Sequence, residues 1–177
     1  MSHPPVLETS RLILKAHTEA DFDDLCALWG DERITRFIGG KPSSREECWA
    51  RLLRYRGTWT VRPFGFWCAR EKETGAYAGD VGFIAAIRGL PEPFGDYPEV
   101  GWSLAHAMHG KGYATEAVRA VLAWGDAHLE DAKTVAIIDP ENTPSLAVAA
   151  RCGFVEFGRG TYHDEELIML ERPRPIG

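Results

Sequence analysis

His106-Ala107-Met108-His109-Gly110-Lys111-Gly112-Tyr113-Ala114-Thr115-Glu116-Ala117 decides the reading of this chain. An extended run over residues 97–105 leads into it. Behind it Ala114, Ala117, Val118, Val121, Leu122, Gly125 and Leu129 recur at gaps of three, four and seven, which places them on one helix face. The two glycines therefore sit between a strand and the first turn of a helix. A helix start has free backbone N–H groups and partial positive charge, so it receives anions, and glycine lets the backbone approach one closely. The segment reads as a phosphate-cradling turn. Taken alone, it is also compatible with a strand-to-helix corner that holds no ligand.

Two common phosphate motifs are excluded. Lys111 lies between the glycines and no Ser or Thr follows it, so this is not a P-loop. Thr115 stands where a dinucleotide fingerprint needs its third Gly or Ala, and the turn comes late, after a long antiparallel region.

Outward from the turn, the other elements fall into place. Upstream, residues 7–15 read as a first strand, with Thr18 as N-cap of a helix carrying Phe22, Leu25, Cys26 and Trp29 on one face and ended by Gly30. Residues 31–41 are less regular. A second helix opens at Pro42-Ser43-Ser44, with Ser43 and Glu46 or Ser44 and Glu47 as a capping box and Cys48, Leu52, Leu53 and Arg56 as its buried side. Residues 64–70 and 78–87 form a hairpin around the turn at 71–75, and residues 88–96 form a Gly/Pro loop. Downstream, the apolar strand 134–138 completes a strand–helix–strand unit of parallel type. A short helix over 143–152 ends at Gly153, and residues 154–157 and 166–170 close the chain as a hairpin.

The 177 residues fit one domain, with a hydrophobic fraction of 45% that supports a real core. No apolar run approaches a bilayer span, and Met1-Ser2-His3-Pro4-Pro5-Val6 has neither the basic nor the apolar region of a signal peptide. Cys26, Cys48, Cys68 and Cys152 are scattered, which argues against a zinc ribbon or a disulfide framework and for reduced, mostly buried thiols in a cytoplasmic protein. The spacing of His106, His109, His128 and His163 suggests no metal site, and His163 could border an acceptor site. A net charge of −6 without a basic stripe speaks against a nucleic-acid or membrane-surface partner. Trp29, Phe37, Trp59, Phe64 and Trp67 are expected to build core or acceptor wall.

A second segment names the anion. His109-Gly110-Lys111-Gly112-Tyr113-Ala114 resembles the pyrophosphate-binding motif of the GNAT superfamily of N-acetyltransferases, [RQ]-x-x-G-x-[GA], with His109 where Arg or Gln is usual. Asn142-Thr143-Pro144-Ser145 through Arg151-Cys152-Gly153-Phe154 resembles that superfamily's next motif, and Thr9-Ser10-Arg11-Leu12-Ile13-Leu14 resembles the opening strand of its ribosomal-protein N-terminal acetyltransferase branch. The resemblance covers nearly the whole chain. It implies a single α/β (α+β) domain over residues 1–177: a mixed, mostly antiparallel sheet with a central splayed parallel pair and helices on both faces.

It also implies acetyl-CoA as co-substrate, with no metal. Gly110, Gly112 and Ala114 would hold its pyrophosphate through backbone N–H groups, with His109, Lys111, Tyr113 and Thr115 in the same turn. Trp102, Ser103 and Leu104 would pair with the pantetheine arm as an added strand does, and Asn142 would contact that arm while capping its helix. Transfer needs a neutral amine, so a base must act on an ammonium whose pKa is ~10.4. Glu99 is the base candidate and Ser145 the hydrogen-bond donor to the leaving thiolate; a solvated strand-end acid and a helix-start serine are the plain alternatives. Ala149 stands where many superfamily members carry a tyrosine general acid. The expected function is acetyl transfer to a peptide N-terminus or small amine in a ternary complex. Transfer of another acyl group such as succinyl, or a non-catalytic acyl-CoA sensor, are the rival readings, and a homodimer is the family expectation.

Overall fold

The computed structural model describes residues 4–90, 94 and 96–175. Eight strands form one sheet in the order β1-β2-β3-β4-β5-β6-β8-β7. They are β1 (Leu7–Glu8), β2 (Leu12–Lys15), β3 (Phe66–Glu71), β4 (Tyr77–Ile84), β5 (Glu99–Leu104), β6 (Lys133–Ile138), β7 (Val155–Tyr162) and β8 (Glu165–Pro173). Every neighbouring pair is antiparallel except β5 with β6. The helices are α1 (Phe22–Trp29), α2 (Glu32–Thr35), α3 (Arg45–Val61), α4 (Tyr113–His128) and α5 (Thr143–Arg151). The expected fold class, with its central parallel pair, is the one observed.

The two faces of the sheet carry separate apolar clusters. On one, Ala117, Val118, Val121 and Leu122 of α4 and Val148 and Ala149 of α5 pack against Leu12, Val81, Val100 and Leu104. On the other, Leu25 and Trp29 of α1 and Cys48, Leu52 and Tyr55 of α3 pack against Phe66 and Cys68. This division follows the period-two alternation of the strands. In β5, Val100, Trp102 and Leu104 face α4, while Glu99 and Ser103 stand across from Ile84 and Asp80 of β4 on the α1/α3 side.

Local sequence signals account for several element ends. Ser44 and Glu47 make the reciprocal capping box of α3, and Gly153 takes the left-handed conformation (φ +87°) after α5. The buried side of α3 differs from the expected one: Tyr55 and Trp59 are buried with Cys48 and Leu52, whereas Leu53 and Arg56 are exposed. The expected set follows the helix axis too steeply; the observed set keeps the i, i+4, i+7, i+11 row that faces the sheet. Residues 31–41 include α2, capped by Asp31, whose carboxylate accepts from the Arg33 N–H at 3.0 Å. The final hairpin is longer than expected and closes through His163 and Asp164, both at positive φ.

The expected single strand over residues 7–15 is instead a tight β1–β2 hairpin, its turn closed by the Thr9 N–H donating to the Leu12 carbonyl at 3.0 Å and clasped by a distant side chain. Glu116, in the first turn of α4, accepts hydrogen bonds from Thr9 Oγ1 (2.6 Å), Ser10 Oγ (3.0 Å), the Arg11 N–H (2.8 Å) and Arg11 Nε (2.7 Å). The Arg11 N–H is therefore taken by a carboxylate, while the Arg11 carbonyl accepts from the Lys72 N–H at 2.8 Å. Within the expected loop 88–96, residues 91–93 and 95 lie outside the described residues.

Candidate active site

Parallel pairing between β5 and β6 is confined to one position. Glu99 faces Val135, and the Val135 N–H donates to the Pro98 carbonyl at 3.1 Å. Beyond it β5 continues alongside β4 and β6 alongside β8, while no further ladder joins the two among the described residues. The facing strand edges diverge toward the glycine turn. Backbone polar groups on such an edge need a partner, so the divergence is a slot for an extended, amide-bearing ligand.

That slot opens into a cleft of about 1460 Å³. Trp102, Ser103 and Leu104 of β5 line it, as do His109, Gly110, Gly112, Tyr113, Ala114 and Thr115 of the turn and Asn142 and Ser145 of α5. Gly110 (φ +73°) and Gly112 (φ +80°) are both left-handed, and α4 begins directly after Gly112. An L side chain is strained at such φ, so the turn needs glycine at both places. The result points the first-turn N–H groups of a 16-residue helix into the cleft.

Two residues of the turn do more than supply backbone. His109 Nε2 donates to the Leu104 carbonyl at 2.9 Å, which ties the turn to the end of β5 and fixes that nitrogen as the protonated one. The Tyr113 hydroxyl bonds Glu71, and its ring lies 4.2 Å beneath the Arg11 guanidinium. Lys111 is the expected cofactor residue that does not line the cleft; its carbonyl accepts from Arg11 Nη1 at 2.8 Å.

Glu116 puts a carboxylate at the start of α4, beside first-turn N–H groups that favour negative charge. Arg11 neutralises it at 2.6 Å. Burial opposes its ionisation, but the donors from Thr9, Arg11 and Ser10 outweigh this and hold its pKa down at about 2. Arg11, Arg33, Arg36, Arg119 and Arg151 also line the cleft, giving an acidic protein a cationic cleft.

Asn142 Oδ1 accepts from the Ser145 N–H at 3.2 Å, so Asn142 caps α5 as expected, and it faces the cleft as well. Ser145 is half-buried in the cleft wall. Ala149 is fully buried in the core against which α5 packs.

Glu99 lies behind the cleft wall. It is 4% exposed and ion-paired with Arg88, an arrangement the sequence did not suggest. The Arg88 guanidinium is also 4.8 Å from the Tyr162 ring. A second buried carboxylate, Asp80, was equally unanticipated. It accepts from His17 Nε2 (2.7 Å), Trp29 Nε1 (2.9 Å) and the Tyr77 hydroxyl, and stands beside Ser103 in the β4–β5 register. Burial, then the adjacent Asp80 charge, raises the Tyr77 pKa well above that of a free phenol. Of the aromatic residues singled out in the sequence, Trp29, Trp59, Phe64 and Trp67 are core and Phe37 lines the cleft. All four cysteines are free, and three are buried. Among the described residues no group of side chains could hold a metal ion, and no helix is long and apolar enough to cross a membrane.

Splayed parallel strands, a doubly left-handed glycine turn and a capped α5 are the features of one acetyltransferase class. Residues 11–155 match the Acetyltransferase (GNAT) domain family. A GnaT-family acetyltransferase from Bordetella pertussis superposes with a TM-score of 0.83 at 32% identity, covering 96% of this chain and 99% of that one. The Bacillus subtilis protein YkkB is 35% identical over 155 residues, 83% of each chain. RimL, a ribosomal L7/L12 α-N-protein acetyltransferase solved in complex with coenzyme A, shares the fold with a TM-score of 0.77 at 17% identity, covering 96% of this chain and 98% of that one. The chain belongs to the GNAT acetyltransferase family. It is an N-acetyltransferase whose fold extends to the ribosomal-protein acetyltransferases.

Proposed function

We propose that the protein transfers an acetyl group from acetyl-CoA directly to a primary amine, a peptide N-terminus or a small amine, in a ternary complex. The observation that carries this reading is the β5–β6 divergence opening onto the Gly110–Gly112 turn. The slot accepts pantetheine amides along Trp102–Leu104, and the α4 N-terminus with its cationic surroundings accepts the pyrophosphate. The named complex of RimL with coenzyme A supports the same donor. Free cysteines agree with a cytoplasmic setting.

In the transfer, an unprotonated amine attacks the thioester carbonyl, the C–N bond forms, and collapse of the adduct breaks the C–S bond. The amine proton passes through water to the Glu99 carboxylate, which Arg88 holds in place. The Ser145 hydroxyl, with solvent, meets the departing thiolate, because Ala149 has no proton to give.

Isothermal titration with acetyl-CoA tests the donor half, and free-thiol release with a panel of amines tests transfer. Absence of binding at millimolar acetyl-CoA sinks the reading. Turnover with succinyl-CoA but not acetyl-CoA would replace the acyl group and keep the rest.

A further inference from the structure

One side of α3 carries arginines that no carboxylate ion-pairs with among the described residues. Arg51, Arg54 and Tyr55 stand at i, i+3 and i+4 of α3, hence on one side of it. Tyr55 stacks on Phe66 with ring centroids 4.6 Å apart and planes at 3°. Phe66 in turn fills the space beside Gly101, where an added Cβ would meet the Phe66 ring at 3.1 Å. Gly101 lies two residues along β5 from Glu99. Arg51 covers Trp29, whose Nε1 donates to Asp80, the β4 neighbour of Ser103 in the cleft wall, so the α3 pair lies on the sheet face that carries Glu99 and Ser103.

The charges in this region can be counted one by one. Asp80 is taken up by His17, Trp29 and Tyr77. Glu99 is taken up by Arg88. Glu47 lines the groove beside Arg51 and Arg54, but its carboxylate accepts from the Ser44 N–H at 2.7 Å in the capping box. Among the described residues no carboxylate ion-pairs with Arg51 or Arg54. The Arg51 guanidinium lies flat on the Trp29 ring at 3.5 Å, and its Nε is buried with no hydrogen-bond partner. A buried donor of a charged group left without a partner is costly, which marks it as prepared for something that arrives. Arg54 is exposed along its length, but desolvation of its guanidinium and then the like charge of Arg51 and Arg88 lower its pKa from the ordinary value. Arg51, Arg54 and Arg88 are thus electrostatic neighbours, and the carboxylates beside them, Glu47 and Glu99, are already engaged elsewhere.

We propose that Arg51 and Arg54 form an anion-receiving subsite, so that the acceptor is an amine that also carries a carboxylate. This rests on the transferase reading above. The amine would point to Glu99 and the cleft while the acceptor's own anionic group settles on the α3 pair through charge-assisted hydrogen bonds. A polycationic amine is disfavoured by the same pair.

The test uses ω-amino acids of increasing length and dipeptides with an acidic second residue, each beside its uncharged amide, with acetyl-CoA and the full chain. The two arms separate a free amino acid from a peptide. Expected is a preference for acid over amide of about tenfold or more in kcat/KM, carried by KM, and its collapse in Arg54→Gln and Arg51→Gln, the scale of one hydrogen bond to a charged group. Unchanged acetyl-CoA affinity by calorimetry confirms that each variant is folded. Equal use of acid and amide, or a preference that survives both substitutions, overturns the subsite. If no amine is turned over, the transfer reading fails, and titration of the same pairs into CoA-loaded protein decides the subsite separately: binding of the acids alone, lost in Arg54→Gln, upholds it, and no such binding overturns it.

Discussion

Arg88 grips Glu99 through two parallel hydrogen bonds, Nε to Oε2 at 2.7 Å and Nη2 to Oε1 at 2.9 Å. Both side chains are largely buried, so the pair fixes the carboxylate's position and leaves it little freedom to turn. Glu99→Gln is expected to lower kcat about 100-fold and flatten the alkaline rise in rate, the range of a lost general base. A pH–rate profile identical to the parent would remove Glu99 from the mechanism. Arg88→Gln, which strands a buried carboxylate, should cost on the order of 3 kcal/mol of stability in urea unfolding, and a cost near zero would mean that the pair is open to water.

Glu116 makes stability depend on acid pH with a definite sign. Its folded pKa of about 2 lies below that of a free carboxyl, so its contribution is present above the ordinary value near ~4.3 and is lost as pH falls toward the folded value. Glu116→Gln should therefore lose less stability than the parent between about pH 5 and pH 2.5, by roughly 2 kcal/mol. Parallel curves for the two proteins across that window would show that the carboxyl is not held by Thr9, Ser10 and Arg11.

Gly112→Ala tests backbone conformation rather than space. A Cβ there would meet only the end of the Arg11 side chain, at 3.5 Å, but φ is +80°. The left-handed cost of about 1 kcal/mol should lower Tm slightly. Loss of aligned N–H groups should weaken acetyl-CoA binding about tenfold, read by calorimetry. Unaltered affinity would place the pyrophosphate elsewhere.

Asp80→Ala leaves His17, Trp29 and Tyr77 without their shared acceptor in a buried site. A loss of roughly 3 kcal/mol or more is expected, with Asp80→Asn intermediate. Denaturant midpoints that do not move would mean the three donors find other partners.

The donor half of this protein was legible in its sequence because its signals are local. Two glycines before a helix, an Asn cap three residues ahead of Ser145, and the α4 apolar row each specify structure within one or two turns of chain. The GNAT resemblance then joined them in order, and the structure brings nearly all of those residues to one cleft. Lys111 stands apart from the cleft lining, because spacing identifies which residues belong to a turn and not which way each faces.

What the sequence could not disclose are pairings between side chains far apart in the chain. Glu116 lies over a hundred residues from Thr9 and clasps the β1–β2 turn. Asp80 gathers donors from the segment after β2, from α1 and from β4. Arg51 of α3 meets the Trp29 ring of α1. Periodicity assigns a residue to a face of its own element; only packing decides which charge it meets there. The sequence by itself determined the glycine turn, the capped α5 and the family to which the chain belongs, while the partner of Glu99 and the donors gathered on Asp80 and Glu116 were decided by the tertiary structure, because they join side chains far apart in the chain.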